Sequence, residues 1–106
     1  MIFVIGGRNQ GKTRFVSENF PEKKIINAFH EIMRNGLKEG KTADNILNSV
    51  LETYDVIICD EIGCGIVPTD RFERIWREET GRAMCKIADQ AEAVYRIYAG
   101  IAMKIK

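Results

Sequence analysis

The sequence has no long apolar run, and we expect no leader segment from its first residues. No stretch approaches the roughly 20 residues that a helix needs to cross a bilayer, so we expect no contact with a membrane. The apolar start, residues 1–5, is far too short for the hydrophobic part of a signal peptide. These two absences predict a cytoplasmic protein.

Cysteine and excess charge are also scarce. The three cysteines, Cys59, Cys64 and Cys85, are odd in number and lack C-x-x-C spacing, which predicts reduced thiols and no zinc site. The net charge is only +1 and no basic stripe is visible, so nucleic acid is not an expected partner. With 106 residues, 45% of them hydrophobic, we expect one globular domain spanning residues 1–106.

The most informative stretch is an apolar run followed by a glycine-rich segment. Gly6 and Gly11-Lys12-Thr13 match the phosphate-loop spacing G-x-x-x-x-G-K-[ST]. Residues 2–5 predict a buried parallel strand, and residues 15–20 are compatible with a helix. A strand, a glycine-rich turn and a helix N-terminus together bind anions, because backbone N–H groups and the helix dipole favour negative charge there. The alternative is a chance glycine-rich turn.

The phosphate-loop interpretation gives individual residues a role. Lys12 is predicted to reach the β- and γ-phosphates and to act in catalysis, and the Thr13 hydroxyl to bind Mg²⁺. The expected cofactors are ATP or GTP with Mg²⁺, and the choice of nucleotide stays open because no N-K-x-D block is present. The residues predicted to bind the nucleotide are Gly6, Gly7, Arg8, Asn9, Gln10, Gly11, Lys12, Thr13 and Arg14.

The rest of the chain alternates between strand and helix patterns. Strands are predicted near 24–26, 56–59, 93–98 and 101–105, and helices near 28–36, 43–54 and 69–91. We expect Gly36 to end the first of these helices, Thr42 to cap the start of the second, and Gly81 to bend or split the last. The pattern predicts a three-layer α/β fold of the P-loop NTPase type with a mostly parallel sheet and an antiparallel C-terminal strand.

A phosphate loop needs an acidic partner for the metal. Asp60 and Glu61 follow the apolar run 56–59, where a parallel strand would end. Asp60 is the predicted Mg²⁺ ligand, and Glu61 is predicted to orient a water or a substrate hydroxyl. The alternative is that both are solvated carboxylates at the end of a strand.

The segment after these carboxylates contains two glycines and a proline. Gly63 and Gly65 permit a close approach of backbone to a ligand, and loops beyond the carboxyl ends of strands line the crevice of open α/β sheets. Gly63, Gly65 and Pro68 are therefore predicted to form a substrate loop. The alternative is a tight turn that only connects a strand to a helix.

These segments carry a resemblance to a known family. Residues 60–71 read Asp-Glu-Ile-Gly-Cys-Gly-Ile-Val-Pro-Thr-Asp-Arg, and they are followed by Gly81-Arg82 and by Tyr-Ala-Gly-Ile-Ala-Met-Lys-Ile-Lys at 98–106. Together with residues 5–14, they resemble the bifunctional adenosylcobinamide kinase/adenosylcobinamide-phosphate guanylyltransferase family. The resemblance covers residues 1–18 and 55–106 but not closely 19–54, and the E-x-G-x-G-I-V-P block is its most specific part.

The resemblance implies both a fold and an activity. It implies a RecA-like nucleotide-binding fold and phosphorylation of the aminopropanol hydroxyl of a cobinamide-type acceptor, followed by transfer of GMP to that phosphate. Members of the family are considerably longer, and the difference lies between the two matching ends. The segment that differs includes a strand with the usual metal-binding carboxylate and the helix with the histidine that becomes guanylylated.

The single histidine, His30, therefore has two interpretations. It is either a candidate for guanylylation, since a neutral imidazole can attack phosphorus, or a histidine on a helix surface without that role. Its neighbours do not reproduce the paired-histidine context of the family.

The resemblance also implies assembly. Relatives form trimers, so we expect a homo-oligomer. Lys104 and Lys106 alternate at the end of the last predicted strand, and we predict that they contact the nucleotide of a neighbouring subunit. The alternative to the kinase is a sensing or assembly module that binds a nucleoside triphosphate with little turnover, or a simple NTPase.

Overall fold

The computed structural model describes residues 1–62 and 68–106. Predicted strands and helices are present close to their expected positions. In chain order the elements are β1 (Ile2–Gly6), α1 (Lys12–Asn19), β2 (Ile25–Ile26), α2 (Phe29–Lys38), α3 (Ala43–Thr53), β3 (Val56–Asp60), α4 (Arg71–Gln90), β4 (Ala93–Tyr98) and β5 (Ile101–Lys104).

The described strands form one sheet in the order β2-β3-β1-β4-β5. β1 pairs in parallel with both β3 and β4, and β2 pairs in parallel with β3. β4 and β5 form an antiparallel pair. The predicted α/β class, the mostly parallel sheet and the antiparallel C-terminal strand are therefore confirmed, as expected for a P-loop NTPase-like fold. The finer RecA-like assignment stays a prediction.

Helices cover both faces of the sheet because the central strands are apolar on both sides. On one face, α1 contributes Val16 to a cluster with Val4, Val56, Ile58 and Ile97 of the strands. On the other face, α2, α3 and α4 pack on a larger cluster that includes Phe3, Ile57 and Val94. The result is the predicted three-layer arrangement.

Side-chain caps define where two of these helices begin. The Thr42 hydroxyl accepts a hydrogen bond from the Asn45 N–H at 3.2 Å, which confirms Thr42 as the predicted cap of α3. The Asp70 carboxylate accepts from the Glu73 N–H at 3.0 Å and starts α4. Among the residues that the structure describes, none of the helices is long and apolar enough to cross a membrane.

Two expectations about glycines were wrong. Gly36 does not end α2 but lies buried inside it, where a Cβ would come within 2.5 Å of the Ile46 side chain of α3. Gly81 does not split α4, which runs as one helix of 20 residues. Gly36 is therefore a packing residue at the α2–α3 crossing, and the packing of α4 overrides the low helix propensity of Gly81.

Substitution of these two glycines should have opposite effects on stability. Gly36→Val overpacks the α2–α3 crossing and should lower the free energy of unfolding by about 1–3 kcal/mol. Gly81→Ala is the matched control, because a Cβ there meets nothing within 4 Å and the helix propensity improves by about 0.5–1 kcal/mol. Urea unfolding followed by circular dichroism measures both. A Gly36→Val protein as stable as the unsubstituted chain would contradict the role given to Gly36.

Candidate phosphate and metal site

The glycine-rich loop lies between the end of β1 and the start of α1. Asn9 and Gly11 have positive φ angles of 59° and 95°, which turn the backbone sharply before the helix. Gly11 precedes α1 and has no side chain with which to cap it. The first N–H groups of a helix have no partner within the helix, so this end of α1 offers donors to an anion.

Gly6 is required by the close approach of β1 to β4. A Cβ on Gly6 would lie 2.6 Å from the carbonyl oxygen of Ile97. Since that atom belongs to the backbone of a central strand, it has little freedom to move. Gly6 therefore sets where the loop leaves the sheet.

Lys12 is a buried cation at the centre of the site, with only 8% of its side chain exposed. Its ammonium donates to the Gly7 carbonyl at 2.6 Å and lies 2.8 Å from Asp60 Oδ1. Asp60 is the last residue of β3, the neighbour of β1 in the sheet. The loop lysine and the carboxylate at the end of β3 therefore form a direct ion pair, which the sequence analysis did not predict.

His30 lies beside Asp60, and its interpretation as a helix-surface residue was wrong. Its relative exposure is 9%. The Asp60 N–H donates to His30 Nδ1 at 3.2 Å, and His30 Nε2 lies 3.5 Å from Asp60 Oδ2. The indole N–H of Trp76 donates to the His30 carbonyl at 2.7 Å, which fixes the start of α2. No local sequence signal indicated this burial, because it follows from how α2 crosses β3.

Asn27 is a residue of the site that the sequence analysis did not identify. Its amide Nδ2 donates to the Thr13 hydroxyl at 3.2 Å, and its Oδ1 accepts from the Ala28 N–H at 2.8 Å. The available signal was its position, directly after the short strand β2, because the carboxyl ends of parallel strands meet at one edge of the sheet.

The loop, Asp60 and His30 share one open cleft of about 480 Å³. Thr13 and Asp60 both line it, and a hydroxyl and a carboxylate are oxygen ligands of the kind that Mg²⁺ prefers. Within the described part of the chain, no group of three or more His, Cys, Asp or Glu side chains could hold a metal by itself. The donor set thus fits a Mg²⁺ ion that takes its other ligands from phosphate and water. The described residues that line the cleft are Arg8, Asn9, Gln10, Gly11, Lys12, Thr13, Arg14, Asn27, Ala28, His30 and Asp60.

Glu61 pairs with a different residue, Arg96 of β4. Its two carboxylate oxygens accept from Arg96 Nε and Nη2 at 2.9 and 3.1 Å, and its N–H donates to the Gly6 carbonyl at 3.0 Å. Glu61 therefore lies next to the start of the loop, but it is not among the described residues that line the cleft. Its catalytic role stays a prediction.

Pro68, Lys104 and Lys106 are not among the described residues that line this cleft. Lys104 ends β5 opposite Tyr95, whereas Lys106 lies beyond the strand and donates to the carbonyls of Ala88 and Asp89 at 2.8 and 2.9 Å. Pro68 accepts a hydrogen bond from Arg74 at 3.4 Å. Gly63 and Gly65 of the predicted substrate loop lie outside the described residues.

Gln10 ties the loop to the β4–β5 turn, a contact that the sequence did not indicate. Its side-chain Oε1 accepts from the Ala99 N–H at 2.6 Å, and its carbonyl accepts from the Gly100 N–H at 2.9 Å. Ala99 and Gly100 have φ angles of 50° and 78°, as in a tight hairpin turn. The loop is therefore anchored to a segment about ninety residues away in sequence.

Cys59 precedes Asp60 in β3 and is chemically different from the exposed Cys85. Burial raises the pKa of the Cys59 thiol to about 12, and the negative charge of Asp60 acts in the same direction. The thiolate is the nucleophilic form, so Cys59 is protonated and inert at neutral pH.

A comparison with protein families matches residues 27–105 to the family described as cobinamide kinase / cobinamide phosphate guanyltransferase. The match includes residues 27–54, which the motif resemblance did not cover, and it does not include the phosphate loop.

Two curated relatives match over a shorter part. They are the bifunctional adenosylcobalamin biosynthesis proteins CobU of Salmonella typhimurium (strain LT2) and of Escherichia coli (strain K12). Each is 39% identical to this chain over 51 residues. The aligned part is 48% of this chain and 28% of each relative, so it spans less than a third of the length of these proteins.

The two described cysteines should differ in reactivity. At pH 8 a thiol with a pKa near 12 is ionised to on the order of one part in ten thousand, so Cys59 should resist iodoacetamide while Cys85 reacts. Peptide mass spectrometry on a Cys64→Ser variant separates the two sites. In urea Cys59 should react as fast as Cys85. Rapid labelling of Cys59 in the folded protein would contradict its burial.

The raised pKa of Cys59 also predicts a pH dependence of stability. Because the pKa of the thiol falls on unfolding, ionisation of Cys59 in the unfolded chain should lower the free energy of unfolding as the pH rises from about 9 to about 12.

Proposed function

This chain belongs to the cobinamide kinase / cobinamide phosphate guanyltransferase family, and on that premise we propose that it transfers the γ-phosphoryl group of ATP or GTP to a hydroxyl of a cobinamide-type acceptor. The observation that carries the proposal is the buried Lys12 ammonium, held between the Gly7 carbonyl and Asp60 at the mouth of a phosphate loop. The family description and the printed names of the two relatives support the choice of acceptor.

Lys12 and the loop backbone would bind the triphosphate. An ammonium has three N–H donors, and two of them are used by Gly7 and Asp60. The third donor would contact the β- or γ-phosphate. Because the lysine is already fixed by its partners, little side-chain entropy would be lost when phosphate binds. Arg8 of the same cleft would add positive charge near the terminal phosphate.

Thr13 and Asp60 would hold Mg²⁺ together with phosphate oxygens. When bound, the ion would neutralise charge that develops on the β- and γ-phosphates. Asn27 donates to the Thr13 hydroxyl and occupies one of the two lone pairs of its oxygen, so the other lone pair is left for the metal. His30 would act as a positioning residue, because its ring contacts both the main chain and the carboxylate of Asp60.

The transfer itself would be governed mainly by positioning and charge. The acceptor oxygen forms a bond to the γ-phosphorus, the bond from the γ-phosphorus to the β–γ bridging oxygen breaks, and the nucleoside diphosphate leaves. The hydroxyl proton passes to Glu61 or to water. Glu61 would need to exchange part of its contact with Arg96 to take this role.

The geometry favours the kinase reaction over guanylylation of His30. Nδ1 of His30 accepts the Asp60 N–H, which assigns the proton to Nε2, and Nε2 faces Asp60 Oδ2. Both ring nitrogens are thus engaged within the protein, and an attack on phosphorus needs a free lone pair. We therefore restrict the proposal to phosphoryl transfer.

A second candidate is a module that binds nucleotide with little turnover. It is favoured by one observation: Asp60 is engaged by Lys12 and His30, and Glu61 is engaged by Arg96. A binding module needs neither carboxylate to activate an acceptor. The two candidates share the phosphate loop and differ in acceptor-dependent consumption of nucleotide.

We also propose that the chain forms a homo-oligomer, as a trimer, and works in the cytoplasm as a single domain. Support for assembly comes from apolar side chains on and after the β4–β5 hairpin, where Tyr98 and Ile101 are 64% and 66% exposed. The contacts of Lys104 and Lys106 with a neighbouring nucleotide belong to this proposal.

Removal of the Lys12 ammonium should abolish tight nucleotide binding. Lys12→Ala should weaken the affinity for ATP or GTP with Mg²⁺ by at least about a hundredfold, because the main cation at the terminal phosphates is lost. Lys23→Ala is the matched control, since Lys23 is an exposed lysine on the turn after α1. Isothermal titration calorimetry measures affinity, and a thermal melt verifies that each variant is folded. A folded Lys12→Ala protein with unchanged affinity would disprove the phosphate-loop assignment.

The kinase proposal predicts that acceptor and nucleotide are consumed together. With Mg²⁺ and ATP or GTP, nucleoside diphosphate should form at least tenfold faster when adenosylcobinamide is present, by the order of effect that an oriented acceptor provides. Mass spectrometry of the acceptor should show one added phosphoryl group. Lys12→Ala provides the inactive control. Nucleotide binding without any acceptor-dependent turnover would instead establish the binding module.

A further inference from the structure

The short turn between β2 and α2 carries two side chains that reach the proposed metal ligands. Asn27 directly follows β2, and its amide Nδ2 donates to the Thr13 hydroxyl at 3.2 Å. His30 lies in the first turn of α2, and its Nε2 lies 3.5 Å from Asp60 Oδ2. One turn of the chain therefore contacts both residues to which the metal is assigned.

The main chain determines which way the amide of Asn27 faces. Its Oδ1 accepts a hydrogen bond from the Ala28 N–H at 2.8 Å. A backbone N–H can only donate, so the amide oxygen faces Ala28 and the amide nitrogen faces Thr13. Asn27 is therefore a donor to the Thr13 hydroxyl and not an acceptor from it.

The backbone of this turn has a conformation that residues with a side chain rarely adopt. Ala28 has φ and ψ angles of 55° and 51°, in the left-handed region. On the other side of the turn, the buried indole N–H of Trp76 donates to the His30 carbonyl at 2.7 Å. Strained backbone persists only where its surroundings hold it in place, so the Asn27 amide is presented from a rigid support.

The hydrogen bond from Asn27 selects one of the side-chain conformations open to Thr13. In a helix, a threonine side chain divides between two χ1 rotamers, because its hydroxyl can also turn back to a carbonyl of the preceding turn. The Asn27 amide instead holds the hydroxyl at the cleft. It occupies one lone pair of the oxygen, so the other would face the metal and the proton would be left for a phosphate oxygen or water.

We propose that Asn27 is a positioning residue for Mg²⁺, which acts through the Thr13 hydroxyl and does not itself contact the ion. The inference rests on the proposed function, because it requires a triphosphate in the phosphate loop. An oxygen ligand that is already oriented loses less conformational freedom when the ion binds. Partners that orient a metal ligand typically contribute about tenfold to a hundredfold to metal affinity.

The competing explanation is a hydrogen bond that only ties α1 to the sheet. Asn27 and Thr13 are both exposed, and such a bond can contribute to stability without any effect on a ligand. Under this explanation, loss of the Asn27 amide would lower the melting temperature and leave the metal unaffected. The test therefore measures how much Mg²⁺ adds to binding, which a purely structural role does not change.

The experiment measures the affinity for inorganic tripolyphosphate by calorimetry, once with Mg²⁺ and once with EDTA. The ratio of the two affinities gives the contribution of the metal. In Asn27→Ala this ratio should fall about tenfold, while the affinity in EDTA changes little because the loop and Lys12 remain. A thermal melt verifies that the variant is folded.

Asn19→Ala is the matched control. Asn19 is another exposed asparagine, and its amide donates to the carbonyl of Phe15 at 2.8 Å. The variant loses one amide hydrogen bond at the surface, as Asn27→Ala does, but none to the Thr13 hydroxyl. It should keep the ratio of the unsubstituted protein.

A double-mutant cycle tests whether Asn27 acts through Thr13. Thr13→Val removes the hydroxyl with little change of shape and should lower the ratio by itself. In the Thr13→Val background, Asn27→Ala should have no further effect, because both residues act on one ligand oxygen. An equal effect of Asn27→Ala with and without the Thr13 hydroxyl would overturn the proposal, since Asn27 would then act on the metal or the phosphates directly.

Failure of this inference differs from failure of the proposed function. An unchanged or increased ratio in a folded Asn27→Ala protein would overturn the positioning role, while tripolyphosphate binding would still support the phosphate loop. An equal loss of affinity with Mg²⁺ and with EDTA would also overturn it, because Asn27 would then act on the loop. Binding of neither tripolyphosphate nor nucleotide by the unsubstituted protein would overturn the proposed function itself.

Discussion

The ion pair between Lys12 and Asp60 is the contact on which the site depends. It joins the first residue of α1 to the last residue of β3. Among the described ion pairs, it is the one that connects the start of α1 to this neighbouring strand. A buried ammonium without a partner is strongly unfavourable, so the pair fixes the loop relative to the sheet. His30 completes the arrangement by contacting the same aspartate from α2.

Local patterns predicted the parts of the molecule that local interactions decide. The phosphate-loop spacing, the apolar run of β3 and the Thr42 cap each depend on a few consecutive residues, and each element is present. The alternation of strands and helices was sufficient for the three layers and the mostly parallel sheet, because short crossovers of fixed hand leave few arrangements. The position of Asp60 beside the loop was predictable too, because the carboxyl ends of parallel strands meet at one edge of the sheet.

Contacts between distant segments were the part that the sequence did not reveal. The burial of His30 depends on the crossing of α2 over β3, and the role of Gly36 depends on Ile46 of another helix. Gln10 accepts hydrogen bonds from the main-chain N–H groups of Ala99 and Gly100, which lie about ninety residues away and which any residue except proline carries. Such contacts leave no periodicity or motif, so they become visible only in three dimensions.

The central position of β1 has a consequence for the order of folding. β1 pairs with β3 and β4 but not with β2, the next strand along the chain. The shape of the loop depends on the Ile97 carbonyl beside Gly6 and on the turn that Gln10 contacts. These contacts join residues about ninety positions apart, so forming them is slow and has an entropic cost. During synthesis, the glycine-rich loop can therefore reach its final shape only after residues 93–100 have left the ribosome, and so later than the pairing of β1 with β3.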